Sequence, residues 1–217
     1  GKAVLAKIGA TNPDATTILG DLGYAPNSAG AFCEQTNARI TGPGALVLAG
    51  NHEEMGSEDG YIDQFAECLP AEVPITGTYA REYFFDRGNV RTILVSPDIE
   101  FIGPDSRYGP GDAGRTFLVN AIRDAKAKGM WTIVGMHHPC FTLGMHGCGD
   151  TTSAVSNIAL AEGVDLVFSG HEHNYMRTHP LAGSVESPRV VDTDGDITAG
   201  AGTVFTVVGN GGHNPRT

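Results

Sequence analysis

A chain of 217 residues, 41% hydrophobic and 18% charged, has the composition of one well-cored globular domain and is short for two. Its net charge of −11 argues against a broad face for nucleic-acid phosphates, so such a backbone is not the expected partner. No apolar stretch reaches the roughly 18 residues that a membrane span needs.

Residues 2–9 read as the end of a helix, with Val4, Leu5 and Ile8 on one face. A turn at Pro13-Asp14 leads into a short apolar strand over 15–19. Residues 28–40 follow a helical pattern, 45–48 form a second buried strand, and 61–65 a short helix. Residues 79–86 and 90–96 are rich in aromatic and β-branched side chains around Arg87-Gly88-Asn89, which predicts an antiparallel pair. An amphipathic helix is expected over 116–128, stopping at Gly129. A strand over 131–136, a helix over 153–162 and a strand over 164–168 follow. The polar, Gly-rich stretch 184–202 reads as a surface hairpin or loop, and 203–208 as a closing strand. Strands alternating with helices predict α/β layers with a mixed sheet.

The four cysteines form no CxxC pair, which argues against a zinc ribbon. Their even count and wide spacing suit two disulfides in an oxidising compartment. Cys140 and Cys148 flank a Gly-rich loop and can bridge it, leaving Cys33 and Cys68 as the second pair. The alternative is four buried free thiols in a cytosolic enzyme. Gly109-Pro110-Gly111-Asp112-Ala113-Gly114 fits GxGxxG, but no strand leads into it, so a dinucleotide site is rejected.

Four strand ends carry the chemistry. The first strand ends in Gly20-Asp21-Leu22-Gly23-Tyr24, and the second in Gly50-Asn51-His52-Glu53. The strand over 131–136 ends in His137-His138-Pro139, and that over 164–168 in Gly170-His171-Glu172-His173-Asn174-Tyr175. Each alone reads as a turn whose polar side chain caps backbone groups. Together they place Asp, Asn, Tyr and His, oxygen and nitrogen ligands for Zn, Fe or Mn, where α/β proteins bind ligands. A shared carboxylate would let two cations sit roughly 3.5–4 Å apart.

GDLGY, GNHE, VGMHH and GHEHNYMR, in that order, resemble the successive motifs of the calcineurin-like metallophosphoesterases. The tyrosine of GDLGY points to the purple acid phosphatase branch, and the resemblance runs from Pro13 to Gly212. It implies an α/β fold, a four-layer α-β-β-α sandwich of two mixed β-sheets flanked by helices. It also implies hydrolysis of phosphate esters at a binuclear centre that activates water for in-line attack at phosphorus. By the resemblance, Asp21 would bridge both ions, Tyr24 and His173 would bind the first, and Asn51, His137 and His171 the second. His52 would contact the substrate phosphate or the leaving-group oxygen, and His146 matches the place of a second substrate histidine. Glu53 is expected to orient His52 or a water, and His138 to neighbour the site. A phenolate ligand calls for a strongly Lewis-acidic ion, ferric iron in this branch, so iron with zinc, manganese or a second iron is implied.

One motif departs. The family opens with Asp-x-Gly at the end of its first strand, and the nearest N-terminal candidate, Ile8-Gly9-Ala10-Thr11, has no carboxylate. Residues 2–9 resemble the helix after that strand, so the strand and its aspartate are expected upstream of Gly1. On this reading residues 1–217 are one catalytic domain, missing its first strand and ending abruptly at Pro215-Arg216-Thr217. A protein that naturally lacks this Asp would instead be a single-metal or inactive relative. The favoured activity is phosphomonoester hydrolysis on small phosphorylated substrates, in an extracellular or periplasmic setting. The alternatives are a phosphodiesterase or nucleotide hydrolase on the same site, and a non-catalytic metal-binding surface protein. No oligomeric state is assigned.

Overall fold

The computed structural model describes residues 1–42 and 44–212. In chain order the first half forms α1 (Lys2–Ala10), β1 (Thr16–Leu19), α2 (Ala29–Asn37), β2 (Ala45–Leu48) and α3 (Ile62–Cys68). Then come β3 (Thr76–Thr78), β4 (Glu82–Arg87), β5 (Val90–Val95), α4 (Ala113–Ala127), β6 (Trp131–Met136), α5 (Asp150–Glu162) and β7 (Leu166–Ser169). Short strands β8 (Tyr175–Arg177), β9 (Leu181–Gly183) and β10 (Pro188–Val190) precede β11 (Val204–Val208). The expected end at Pro215-Arg216-Thr217 lies outside the described residues.

Seven strands make one mixed sheet in the order β3-β4-β5-β6-β7-β11-β8. Its centre, from β5 through β6 and β7 to β11, is parallel, and its flanks are antiparallel. The β4–β5 hairpin forms as expected, with Arg87 opposite Val90 across a two-residue turn. β1 and β2 pair in parallel and, among the described residues, form the whole of the smaller sheet.

Strand alternation assembles the layers. On β5, Ile93 and Val95 face α4 and α5, while Leu94 faces the opposite way and packs with Leu46 and Leu48 of β2. On β2, Val47 turns from the large sheet toward Ile62 and Phe65 of α3 and Cys33 of α2. Helix α4 buries Leu118, Ala121, Ile122 and Ala125, the i, i+3, i+4, i+7 stripe that one packed face requires. Helix α5 stops at Gly163, whose φ of 64° is the left-handed cap that closes a helix. The order across the molecule is helices α1–α3, the β1–β2 pair, the seven-stranded sheet, then α4 and α5. The four layers are as expected; among the described residues only the seven-stranded sheet is mixed, since β1 and β2 run parallel.

Differences from the expected elements are local. The strand predicted from residue 79 begins at Glu82, because Ala80 at φ 65° turns the chain into the β3–β4 hairpin. The stretch 184–202 does supply one arm of a hairpin, as expected, since β10 pairs with β9 around a turn at 184–187.

Both disulfides form, Cys33–Cys68 with Cα atoms 5.9 Å apart and Cys140–Cys148 with Cα atoms 4.5 Å apart. No free cysteine remains among the described residues, which removes the free-thiol alternative. None of their helices is long and apolar enough to cross a membrane. Both observations are compatible with an extracellular protein.

Candidate metal centre

The C-terminal ends of β1, β2, β6 and β7 meet at one edge of the molecule, two from each sheet. The Gly170 amide donates to the His137 carbonyl at 2.9 Å, joining the ends of β7 and β6. His137 is fully buried, and its Nδ1 donates to the Leu19 carbonyl at the end of β1, at 2.7 Å. That bond spans the two sheets and fixes the tautomer, leaving His137 Nε2 as the lone pair that faces the site.

Three further oxygen and nitrogen atoms converge on His137 Nε2. Asp21 Oδ1 lies 3.1 Å away, Asn51 Oδ1 3.2 Å and His171 Nδ1 3.2 Å. Burial and the neighbouring His137, His138 and His146 push the His171 imidazole down to about 3, so it stands neutral. A cluster of lone pairs turned on one another is stable only around positive charge. Burial would make His137 a weaker base, but its bond to Asp21 and that charge raise its pKa, so a proton can take the cation's place. Burial would also raise Asp21, yet His137 and His52 hold its carboxyl below the usual carboxylate range. The residues therefore fit a cation.

Asp21 has a second side. Its Oδ2 accepts from the Tyr24 hydroxyl at 3.0 Å, and that hydroxyl lies 3.0 Å from His173 Nε2. The Tyr24–His173 half opens on a cavity of about 720 Å³ that runs along β1 and is lined also by Leu5, Ile18, Leu22 and Phe168. Asp21 (φ 52°) and His171 (φ 61°) both occupy the left-handed region, a strain of about 1–3 kcal/mol each that side chains accept mainly where function holds them.

Glu53 is fully buried, and its carboxylate accepts from backbone amides rather than from the His52 ring. Its Oε2 accepts from the amides of Asp21 (2.8 Å) and Gly50 (3.0 Å), and its Oε1 from Leu22 (2.7 Å) and Gly23 (3.3 Å). One carboxylate thus pins the loop after β1 to the loop after β2. Gly50 must be glycine here, because a Cβ would collide with Asp21 and His137.

His52 is oriented instead by Asp59, whose Oδ2 lies 2.6 Å from His52 Nδ1. His146 has the matching arrangement, with Glu172 Oε1 3.0 Å from its Nδ1. Sequence reasoning missed both carboxylates. Asp59 carries no local signal, whereas Glu172 was visible as an acidic residue set between two ligand histidines. His138 lies beside the site: one of its ring nitrogens is within 4.8 Å of a ring nitrogen of His137 and of His171. Its ring packs edge-on to His171 at 4.5 Å, and burial together with His137 lowers its pKa to about 4.

The chain is similar to known proteins in sequence and in fold. The calcineurin-like phosphoesterase family matches residues 2–175. The chain is 34% identical over 194 residues to uncharacterized protein Rv2577 of Mycobacterium tuberculosis, covering 79% of this chain and 36% of that protein. It is 20% identical over 192 residues to purple acid phosphatase 15 of Arabidopsis thaliana, covering 86% of this chain and 32% of that protein. The chain thus spans about a third of the length of the curated relatives it matches. The structure of purple acid phosphatase PPD1 from yellow lupin (Lupinus luteus) seeds shares its fold, with a TM-score of 0.64 at 19% identity over 97% of this chain and 40% of that one. With all four strand-end motifs inside the matched span and its layers superposing on those of a purple acid phosphatase, the chain belongs to the calcineurin-like phosphoesterases, a family of metal-dependent hydrolases.

Proposed function

We propose that residues 1–217 act as one catalytic domain that hydrolyses phosphate esters, monoesters in preference to diesters, at a centre of two metal ions. The observation that carries this reading is the division at Asp21, one oxygen facing His137 and the other Tyr24. Asp21 would bridge the ions, Tyr24 and His173 would hold the first, and Asn51, His137 and His171 the second. Iron would take the first place and zinc, manganese or iron the second. Bound there, the ions supply Lewis acidity, neutralising phosphoryl charge and lowering the pKa of a water.

The remaining work falls to the chain's own side chains. With Nδ1 held by Asp59 in His52 and by Glu172 in His146, Nε2 is the ring atom left to donate to a phosphoryl or leaving-group oxygen. Both side chains stay reachable, at 32% and 40% exposure. The cavity along β1, lined by Tyr24 and His173, gives access to this side of Asp21. Small phosphorylated substrates and an extracellular or periplasmic setting complete the proposal.

Elemental analysis, an absorption spectrum and parallel monoester and diester assays test it. Bound transition metal is expected, with a tyrosinate-to-iron band that disappears in Tyr24→Phe. Monoester turnover should fall by roughly a hundredfold or more in Asp21→Asn. Protein without transition metal, whose Asp21→Asn variant hydrolyses as well as the parent, would sink the reading.

A further inference from the structure

Glu172 is 1% exposed, although it lies between two histidines that turn toward the site. Its carboxylate meets residues 144–146 of the loop closed by Cys140–Cys148. There Oε1 accepts from the His146 amide at 2.7 Å, and the Met145 amide bonds the same carboxylate. The His146 ring nitrogen Nδ1 lies 3.0 Å from the same Oε1. Gly144 packs so tightly on the carboxylate that a Cβ would collide with it. The His146 ring packs against the ring of His171, tilted by 56° with centroids 4.1 Å apart.

A buried carboxylate is expensive unless its oxygens are fully engaged. The contacts of Glu172 to residues 144–146 account for its burial, and they fix one ring against a candidate ligand. We propose that Glu172 is a positioning residue: it locks the loop at 144–146 and holds the His146 imidazole by its Nδ1–H, so that Nε2 faces the substrate. The assignment rests on the hydrolase reading for its catalytic consequence, but not for the contact itself.

A double-mutant cycle with Glu172→Gln and His146→Ala tests the consequence. Glutamine keeps the size of the side chain and one amide acceptor, so metal content and fold should be retained. Glu172→Gln is expected to lower kcat roughly tenfold to a hundredfold with KM nearly unchanged, and to cost almost nothing further in the His146→Ala background. An equal loss in both backgrounds, or loss of bound metal, would overturn the proposal, because a purely architectural residue acts whether or not His146 is present. The contact is read separately by NMR on zinc-loaded, histidine-labelled protein. A slowly exchanging His146 Nδ1–H signal is expected in the parent and should vanish in Glu172→Ala, which removes the accepting oxygen; its absence from the parent overturns the proposal. A parent that shows the signal but hydrolyses nothing refutes the hydrolase reading while upholding the contact.

Discussion

Glu53 accepts four backbone amides from two loops while wholly shielded from water. Burial, aided by the charge of Asp21, pushes its pKa up to about 7, and the amides of Gly50 and Gly23 pull the other way. Glu53→Gln would turn an NH2 group toward amide donors and leave at least one of them unpaired. We expect it to cost about 1–3 kcal/mol of stability, measured by urea denaturation, and to weaken metal binding. A cost within 0.5 kcal/mol would mean that the two loops are held by something else. The candidate ligands could be read because each lies within five residues of the end of an apolar strand. The roles of Asp59, Glu172 and Glu53 could not, since which group a carboxylate meets is set by how the loops pack.

Elements were legible in proportion to their length and burial. Helix α4 and strands β2, β5 and β6 carry apolar periodicity and were found within a few residues. Strands β3, β8 and β10 have three residues each, almost wholly outside the core, and have no pattern to detect. The disulfides make a contrast that can be measured. Cys33–Cys68 closes a loop of 35 residues, worth about 4 kcal/mol on chain-entropy grounds, and Cys140–Cys148 one of 8 residues, worth about 2.5 kcal/mol. The larger stability loss should follow Cys33→Ser with Cys68→Ser. The larger loss of kcat should follow Cys140→Ser with Cys148→Ser, because that loop carries His146. Urea midpoints and kinetics on both double variants check the reversal; the same rank order in both measurements would contradict it.

At the scale of the whole molecule, the site makes metal-free protein sensitive to acid. His138 and His171 have folded-state pKa values of about 4 and about 3, below the ordinary value near 6.5. A depressed histidine contributes stability that is present above about pH 6.5 and lost as pH falls toward the folded value. Glu53, raised to about 7, acts in the opposite sense and gains nothing further below about pH 4.5. Two groups outweigh one, so the melting temperature of chelator-treated protein should fall from pH 6.5 to pH 4. A flat profile in thermal unfolding would contradict the buried neutral histidines. The four strand ends come from both sheets, and the Leu19–His137 bond is their direct stitch. An ion among Asp21, Asn51, His137 and His171 would therefore be a rivet through two plates. At a hundred times its dissociation constant it would add about 2.7 kcal/mol to the fold. Metal supply would therefore set how firmly the β1–β2 pair is held against the seven-stranded sheet.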